Sequence, residues 1–173
     1  QLIIVALLLL AGLVGARNAV EVGTFTGLSA LSFLRGMPAD QIERMARLGI
    51  MAVGQPRYFW DAGDAWLKAL DPDRAHQLQP YRELLGAGVR FALSSDAPVA
   101  SHRPMDTIAA AVLRTTVSGA VIGGDQALTV DEAVRACTID AAASYFADDR
   151  LGSLEVGKLA DVAVLDRDLF AAA

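Results

Sequence analysis

The sequence predicts an α/β fold in which parallel strands are joined by helices. Beyond residue 36, short apolar segments at residues 50–53 and 89–95 alternate with segments of helical spacing. This alternation with short connections is typical of parallel strands linked by right-handed crossovers. A chain of 173 residues with 54% hydrophobic residues is long enough to bury a substantial core. We therefore expect one globular domain's worth of α/β structure.

The first half of this pattern contains a helix, a strand and a long irregular segment. Pro38 suits the first turn of a helix, which continues up to Gly49 through apolar residues at helical spacing: Ile42, Met45, Ala46 and Leu48. The strand at residues 50–53 is closed by Pro56, since proline cannot donate to a strand ladder. Residues 57–80 mix aromatic residues with Asp, Gly and Pro, which favours a structured loop with short helices and with substrate contacts.

The second half repeats the alternation. Residues 81–87 predict one or two helical turns before the strand at residues 89–95, and Pro104 marks the start of another helix. Thr129 and Glu132 form a capping-box pattern ahead of a further helix. Residues 160–165 are largely apolar and predict a mostly buried strand.

Composition excludes several classes of function. The net charge of −5 and the lack of a basic stripe argue against a nucleic-acid partner. The single cysteine, Cys137, cannot form an internal disulfide and belongs to no Cys/His cluster, so we expect an inert, buried thiol.

The apolar run at residues 2–16 differs from the rest of the chain. It is shorter than the roughly 20 residues that span a bilayer, so we expect no membrane span. It resembles a buried element or the apolar part of a signal peptide, but no basic segment precedes it. We expect a cytoplasmic protein, with export as the alternative if residues 1–16 are a signal segment. Since the sequence does not begin with Met, we also expect it to be a fragment.

Asp96 is the candidate site residue that the pattern singles out. It follows the predicted strand directly, and parallel α/β folds place their chemistry at the carboxyl ends of strands. The alternative is that Asp96 forms an Asx-turn or caps the next segment, as Asp before a turn often does. The pattern alone favours that alternative.

Four segments carry a family resemblance: LGIMAVGQP, PYRELLGAGVRFALSSDAPV, ALTVDEAVRACTIDAAASYF and LGSLEVGKLADVAVLD. In this order and spacing they resemble the C-terminal part of the amidohydrolase superfamily, specifically amidohydrolase family 3, over about residues 37–168. The resemblance implies a metal-dependent hydrolase on a distorted (β/α)8 barrel with a small β-sandwich.

The resemblance also implies a division of the chain. Residues 37–147 would form the C-terminal portion of a (β/α)8 TIM-like barrel, with residues 50–53 as strand 7 and residues 91–95 as strand 8. Residues 148–173 would form part of the small β-sandwich. Residues 1–36 are an apolar stretch that resembles the family hardly at all.

In this family the aspartate after strand 8 contacts the metal and the hydrolytic water, first as general base and then as proton donor. Asp96 matches that position, so the resemblance implies that Asp96 is both a catalytic residue and a metal ligand. The metal it implies is divalent, with zinc expected in the complete family enzyme. A metal lowers the pKa of bound water, and a neighbouring carboxylate can take the proton.

The other metal ligands of the family are missing. The chain contains two histidines in total, so the His-x-His pair after the first strand and the strand 5 histidine are absent, and Phe33 stands where a further histidine is expected. A catalytic metal needs about three protein ligands, so a metal in this chain alone is in doubt.

Three other residues are further site candidates. His76 lies between surface-type residues and is expected to be solvated. His102 lies six positions after Asp96 and could line the same site, but a loop histidine is the favoured interpretation. Arg114 is expected to be an ion-pair or packing partner.

We therefore predict a metal-dependent amidohydrolase that cleaves a non-peptide carbon–nitrogen bond in a small amide or formamide, present as a fragment that is inactive alone. The alternatives are a non-catalytic remnant and a membrane-associated interaction protein anchored by residues 2–16. Open strand edges invite pairing with another chain, so we also expect aggregation or a homo-oligomer.

Overall fold

The computed structural model describes residues 39–171, in which seven α-helices accompany two parallel strands. In chain order the elements are α1 (Ala39–Leu48), β1 (Ala52–Gly54), α2 (Arg57–Ala69), α3 (Pro72–His76), α4 (Tyr81–Gly86), β2 (Phe91–Leu93), α5 (Pro104–Leu113), α6 (Val130–Cys137) and α7 (Ile139–Ser144), with a 3-10 turn at Gly124–Gln126 before α6.

The two strands confirm the parallel pairing that the alternating pattern predicts. Ala52 pairs with Phe91 and Gly54 with Leu93, and the connection between the strands runs through α2, α3 and α4. The strands are shorter than the apolar segments that predicted them. Because the pairing is parallel, the carboxyl ends of both strands lie at the same edge, where Ser94 N–H donates to the Gly54 carbonyl at 2.8 Å.

A hydrophobic core surrounds β2, whose three residues are all buried. Helices α6 and α7 both contact this strand. The core combines residues from the helices and both strands: Ile42, Ala52, Tyr81, Leu84, Val89, Phe91, Leu93, Ile108, Ala111, Leu128, Ala133 and Ala136. Helix α6 begins with the predicted capping box, in which Thr129 Oγ1 accepts from Glu132 N–H and the Glu132 carboxylate accepts from Thr129 N–H.

Residues 57–80, predicted as a structured loop with short helices, contain the short helix α3 and also α2, which at 13 residues is longer than predicted. Phe59, Gly63 and Trp66 have the spacing of one helix face, and the first two are buried. A Cβ atom on Gly63 would lie 2.6 Å from Thr116 Cγ2. The glycine that favours a loop in the sequence is therefore needed for close packing of a helix.

The prediction of a strand at residues 160–165 is wrong, because the structure has no strand there. These residues are irregular and exposed, with Val164 92% exposed. A strand needs a neighbour to satisfy its backbone groups, and within residues 39–171 the paired strands are β1 and β2. The sandwich assignment for residues 148–173 stays a prediction.

The apolar run at residues 2–16 and the position of Phe33 lie outside the described residues. Of the helices within residues 39–171, none combines the length and the apolar character that crossing a membrane requires.

Candidate active site at the carboxyl end of the strands

Asp96 lies three residues beyond the end of β2 and is half-buried. Its backbone is left-handed, with φ of 55°, a conformation that Asp and Asn adopt more readily than most residues. Its N–H donates to Ser94 Oγ at 3.2 Å, and its carbonyl accepts from Val99 N–H at 2.9 Å. The backbone of Asp96 thus forms the turn that leaves the strand.

The side chain of Asp96 takes no part in that turn. Oδ2 accepts a hydrogen bond from the Tyr58 hydroxyl at 2.6 Å. Across residues 39–171, no backbone N–H donates to the Asp96 carboxylate and no cationic side chain forms an ion pair with it. The Asx-turn or cap that the pattern favours is therefore not found.

Tyr58 comes from the carboxyl end of the other strand, since it lies in the first turn of α2 just after β1. Its ring packs 6.5 Å from the Trp66 ring. Burial, and after it the hydrogen bond to Asp96 and the charge of that carboxylate, raise the pKa of Tyr58 to about 12. The phenol is therefore a neutral donor at ordinary pH. Sequence reasoning missed Tyr58, although its position just after an apolar strand was the available signal.

Arg57 forms a second link between α2 and the region after β2. Its guanidinium lies 3.3 Å from the Asp61 carboxylate and 3.8 Å from that of Asp106, on α5. Asp106 also accepts from Ser101 Oγ at 2.6 Å, and this hydrogen bond is the main cause of its lowered pKa. Two consecutive residues of α2 thus hold the segment that carries Asp96.

The two histidines do not join Asp96 in a ligand set. His102 is exposed in the loop before α5. His76 ends α3, and its Nε2 lies 3.2 Å from the exposed Asp125 carboxylate. Throughout residues 39–171, no three side chains of the His, Cys, Asp or Glu type cluster in a way that could hold a metal ion.

Arg114 is the packing partner that the sequence predicts. It is fully buried and donates to the backbone carbonyls of Ile122 at 2.7 Å, Leu78 at 2.6 Å and Gln79 at 3.1 Å. Its guanidinium carbon lies 4.2 Å from the centre of the Phe59 ring, and burial lowers its pKa to about 10. Arg114 therefore joins the end of α5 to two other backbone segments, one at residues 78–79 and one at residue 122.

Cys137 is the residue expected from the sequence to be a buried, inert thiol. It is half-buried at the end of α6, and burial raises the pKa of its thiol to about 11. A thiol is a poor nucleophile when it remains protonated.

Two cavities lie away from Asp96. One of about 290 Å³ opens beside residues that precede the strands, among them Ile50, Met51 and Arg90, and a second of about 230 Å³ lies beside β2 and also includes Arg90. In parallel α/β proteins chemistry belongs to the carboxyl ends, and the amino ends serve stability. We therefore assign the candidate site to Asp96 and Tyr58.

Comparison with known proteins adds independent findings. A family model described as "Amidohydrolase family" matches residues 11–173. The N-substituted formamide deformylase of Arthrobacter pascens is 40% identical over 129 residues, which cover 74% of this chain and 24% of the relative. The imidazolonepropionase of Micrococcus luteus is 33% identical over 159 residues, which cover 86% of this chain and 37% of the relative.

A solved structure shares the fold. The crystal structure of an uncharacterised metal-dependent hydrolase from Pyrococcus horikoshii OT3 matches with a TM-score of 0.69 and 28% identity, over 80% of this chain and 28% of that one. This chain therefore spans between about a quarter and two fifths of the length of these relatives.

Proposed function

Because the chain belongs to the amidohydrolase family, we propose that it carries part of the active site of a hydrolase that cleaves a non-peptide carbon–nitrogen bond. The proposed substrate is a small amide of the formamide type, by analogy with the relative named for that substrate. One observation carries the proposal: a carboxylate without a cationic partner among the described residues follows the carboxyl end of β2, with one oxygen held by Tyr58.

We further propose that the described fold belongs to a (β/α)8 barrel, with β1 and β2 as its strands 7 and 8. Two parallel strands joined through helices support this assignment, as does the similarity to the hydrolase structure.

Asp96 performs the proton transfers in the proposed reaction. Its carboxylate accepts a proton from water as the water oxygen bonds to the substrate carbonyl carbon. The carbon–nitrogen bond then breaks as Asp96 returns the proton to the leaving nitrogen. The products are a carboxylic acid, formic acid for a formamide, and an amine. A well-placed general base of this kind accelerates a reaction by about 10²- to 10⁴-fold.

A divalent metal, which we propose to be zinc, would polarise the carbonyl group and acidify the water in the complete enzyme. The solved relative from Pyrococcus horikoshii is described as a metal-dependent hydrolase. A catalytic zinc needs about three protein ligands, whereas the described residues offer one carboxylate at this position and no cluster of three ligand-type side chains. The described residues therefore do not provide enough ligands to bind a catalytic zinc by themselves. We therefore propose that the chain is inactive when isolated and that further ligands come from outside the described residues.

A chimera tests this function. The matched segment of the Arthrobacter pascens deformylase is replaced by the corresponding residues of this chain, and formate release from an N-alkyl formamide is measured. We expect release by the chimera, and neither release nor stoichiometric zinc for the isolated chain. A chimera that is folded and loaded with metal but releases no formate would contradict the proposal.

The second candidate is a non-catalytic protein, and the lack of a ligand cluster in residues 39–171 favours it. The same chimera separates the two candidates, because a non-catalytic segment leaves it inactive. Formate release above that of the buffer excludes this candidate.

A further inference from the structure

We propose that Tyr58 is the positioning residue of this site. Its hydroxyl group donates a hydrogen bond to Oδ2 of Asp96. The other oxygen, Oδ1, then accepts the proton from the reacting water and returns it to the leaving nitrogen. This inference rests on the function proposed for Asp96.

The hydrogen bond between Tyr58 and Asp96 has the geometry of a strong hydrogen bond. Tyr58 Oη lies 2.6 Å from Asp96 Oδ2, within the range for a hydroxyl donating to a charged carboxylate. An ionised carboxylate can only accept, so the phenol is the donor. Within residues 39–171, this is the only hydrogen bond to the Asp96 carboxylate.

Tyr58 is itself firmly held. The next residue, Phe59, is fully buried in a second core cluster with Leu78 and Ile122. On the other side, Arg57 is paired with Asp61 on its own helix and with Asp106 on α5. The hydroxyl group is therefore presented by a helix that is anchored on both sides of it.

Asp96 depends on such a partner more than a residue within β2 would. It follows the strand in a left-handed turn, and its side chain is half-buried with no other protein partner in the described part of the chain. Without Tyr58 the carboxylate would turn more freely about its side-chain bonds. General-base catalysis depends on holding the accepting oxygen within hydrogen-bond reach of the water.

The first test asks whether the contact exists in solution, and it needs no activity. The intensity ratio of the tyrosine ring doublet in the Raman spectrum reports whether a phenol donates a strong hydrogen bond. We compare the full 173-residue chain with its Tyr58→Phe and Asp96→Ala variants. We expect the Tyr58 contribution to have the signature of a strong donor and to lose it in Asp96→Ala. A Tyr58 signature that does not change in Asp96→Ala overturns the proposal.

The second test asks whether the contact positions the carboxylate. In the deformylase chimera, we expect Tyr58→Phe to lower kcat by about 10- to 100-fold, the usual cost of removing a group that orients an active-site side chain, with KM within about twofold. Tyr145→Phe is the matched control, because Tyr145 is 60% exposed and should leave kcat unchanged. An unchanged kcat in Tyr58→Phe overturns the proposal.

The two tests separate this proposal from the function on which it rests. If the unsubstituted chimera is inactive while the Raman signature is that of a strong donor, the proposed function fails and the contact stands. If the chimera is active and Tyr58→Phe matches it, the function stands and the positioning role fails.

Discussion

Carboxylate side chains have different partners at the two ends of the strand pair. Just before β2, Arg90 lies between two carboxylates, with Nε 2.5 Å from Asp140 and Nη1 3.1 Å from Asp148. Asp140 also pairs with Arg135 at 3.3 Å. Beyond the other end of β2, Asp96 forms no ion pair with any described residue and is held by a neutral phenol.

We interpret this difference as the distinction between a stabilising carboxylate, Asp140, and the proposed catalytic carboxylate, Asp96. Both ion pairs of Asp140 are made with guanidinium groups of the fold, so this carboxylate links Arg90 to Arg135. Asp96 has one neutral donor, which leaves Oδ1 without a hydrogen bond from the described residues, and parallel α/β folds place their chemistry at this end of the strands. Asp140 and Asp96 therefore differ both in the end of β2 at which they lie and in the partners that hold them.

Replacing the paired carboxylate should produce the largest loss of stability. The Asp140 side chain is 10% exposed, so Asp140→Asn leaves the Arg90 and Arg135 guanidinium groups short of an anion. We expect a loss of about 2 kcal/mol in the free energy of unfolding, typical of a hydrogen bond to a charged group. Urea denaturation followed by circular dichroism measures it.

Asp96→Asn is the matched comparison for that measurement. Asn tolerates the left-handed backbone and can accept the Tyr58 hydrogen bond, so we expect a change within about 0.5 kcal/mol. If Asp140→Asn and Asp96→Asn lose the same free energy of unfolding, the carboxylates at the two ends of β2 do not differ in their contribution to stability.

A smaller effect is expected from a more exposed charge pair. Arg82 donates to both oxygens of Glu132 at 2.6 and 2.5 Å, and this hydrogen bonding lowers the pKa of Glu132 from 4.5 to about 2. Because the folded-state pKa is depressed, the stabilisation is present above pH 4.5 and is lost as the pH falls towards 2. The Glu132 side chain is 28% exposed, so solvent screens the pair more than it does Asp140.

The variant Glu132→Gln should flatten this pH dependence. Melting temperatures between about pH 5 and pH 2 measure it, and Glu43→Gln is the control because the Glu43 side chain is 69% exposed. If Glu132→Gln has the same slope as the unsubstituted chain below pH 4.5, the Arg82 pair does not stabilise the fold.

Local signals in the sequence predicted local structure well. The capping box of Thr129 and Glu132 predicted the start of α6, and Pro104 predicted the start of α5. The resemblance carried by four segments is confirmed by the family match over residues 11–173. Because this match begins at residue 11, the expectation that residues 1–36 resemble the family hardly at all is wrong for residues 11–36. Each of these features depends on residues that are close together in the chain or on a motif of fixed spacing.

The sequence did not predict features that depend on distant partners. Tyr58 and Asp96 are 38 positions apart, and their contact becomes evident only when two strands end at the same edge. In the sequence alone Gly63 favours a loop, and the close contact with Thr116 that explains a glycine within a helix is seen only in the structure. Residues 160–165 have the composition of a strand, but composition cannot supply the neighbouring strand that a ladder requires.

The rate of formate release by the deformylase chimera shows whether Asp96 transfers the proton, when the Asp96→Asn variant is compared with Asp149→Asn. Asp149 is an exposed aspartate beyond α7, so its substitution removes the same charge without touching the site. We predict a rate about 10²- to 10⁴-fold lower for Asp96→Asn, the contribution of a general base, and an unchanged rate for Asp149→Asn. Equal rates in the two variants would contradict the assignment of proton transfer to Asp96.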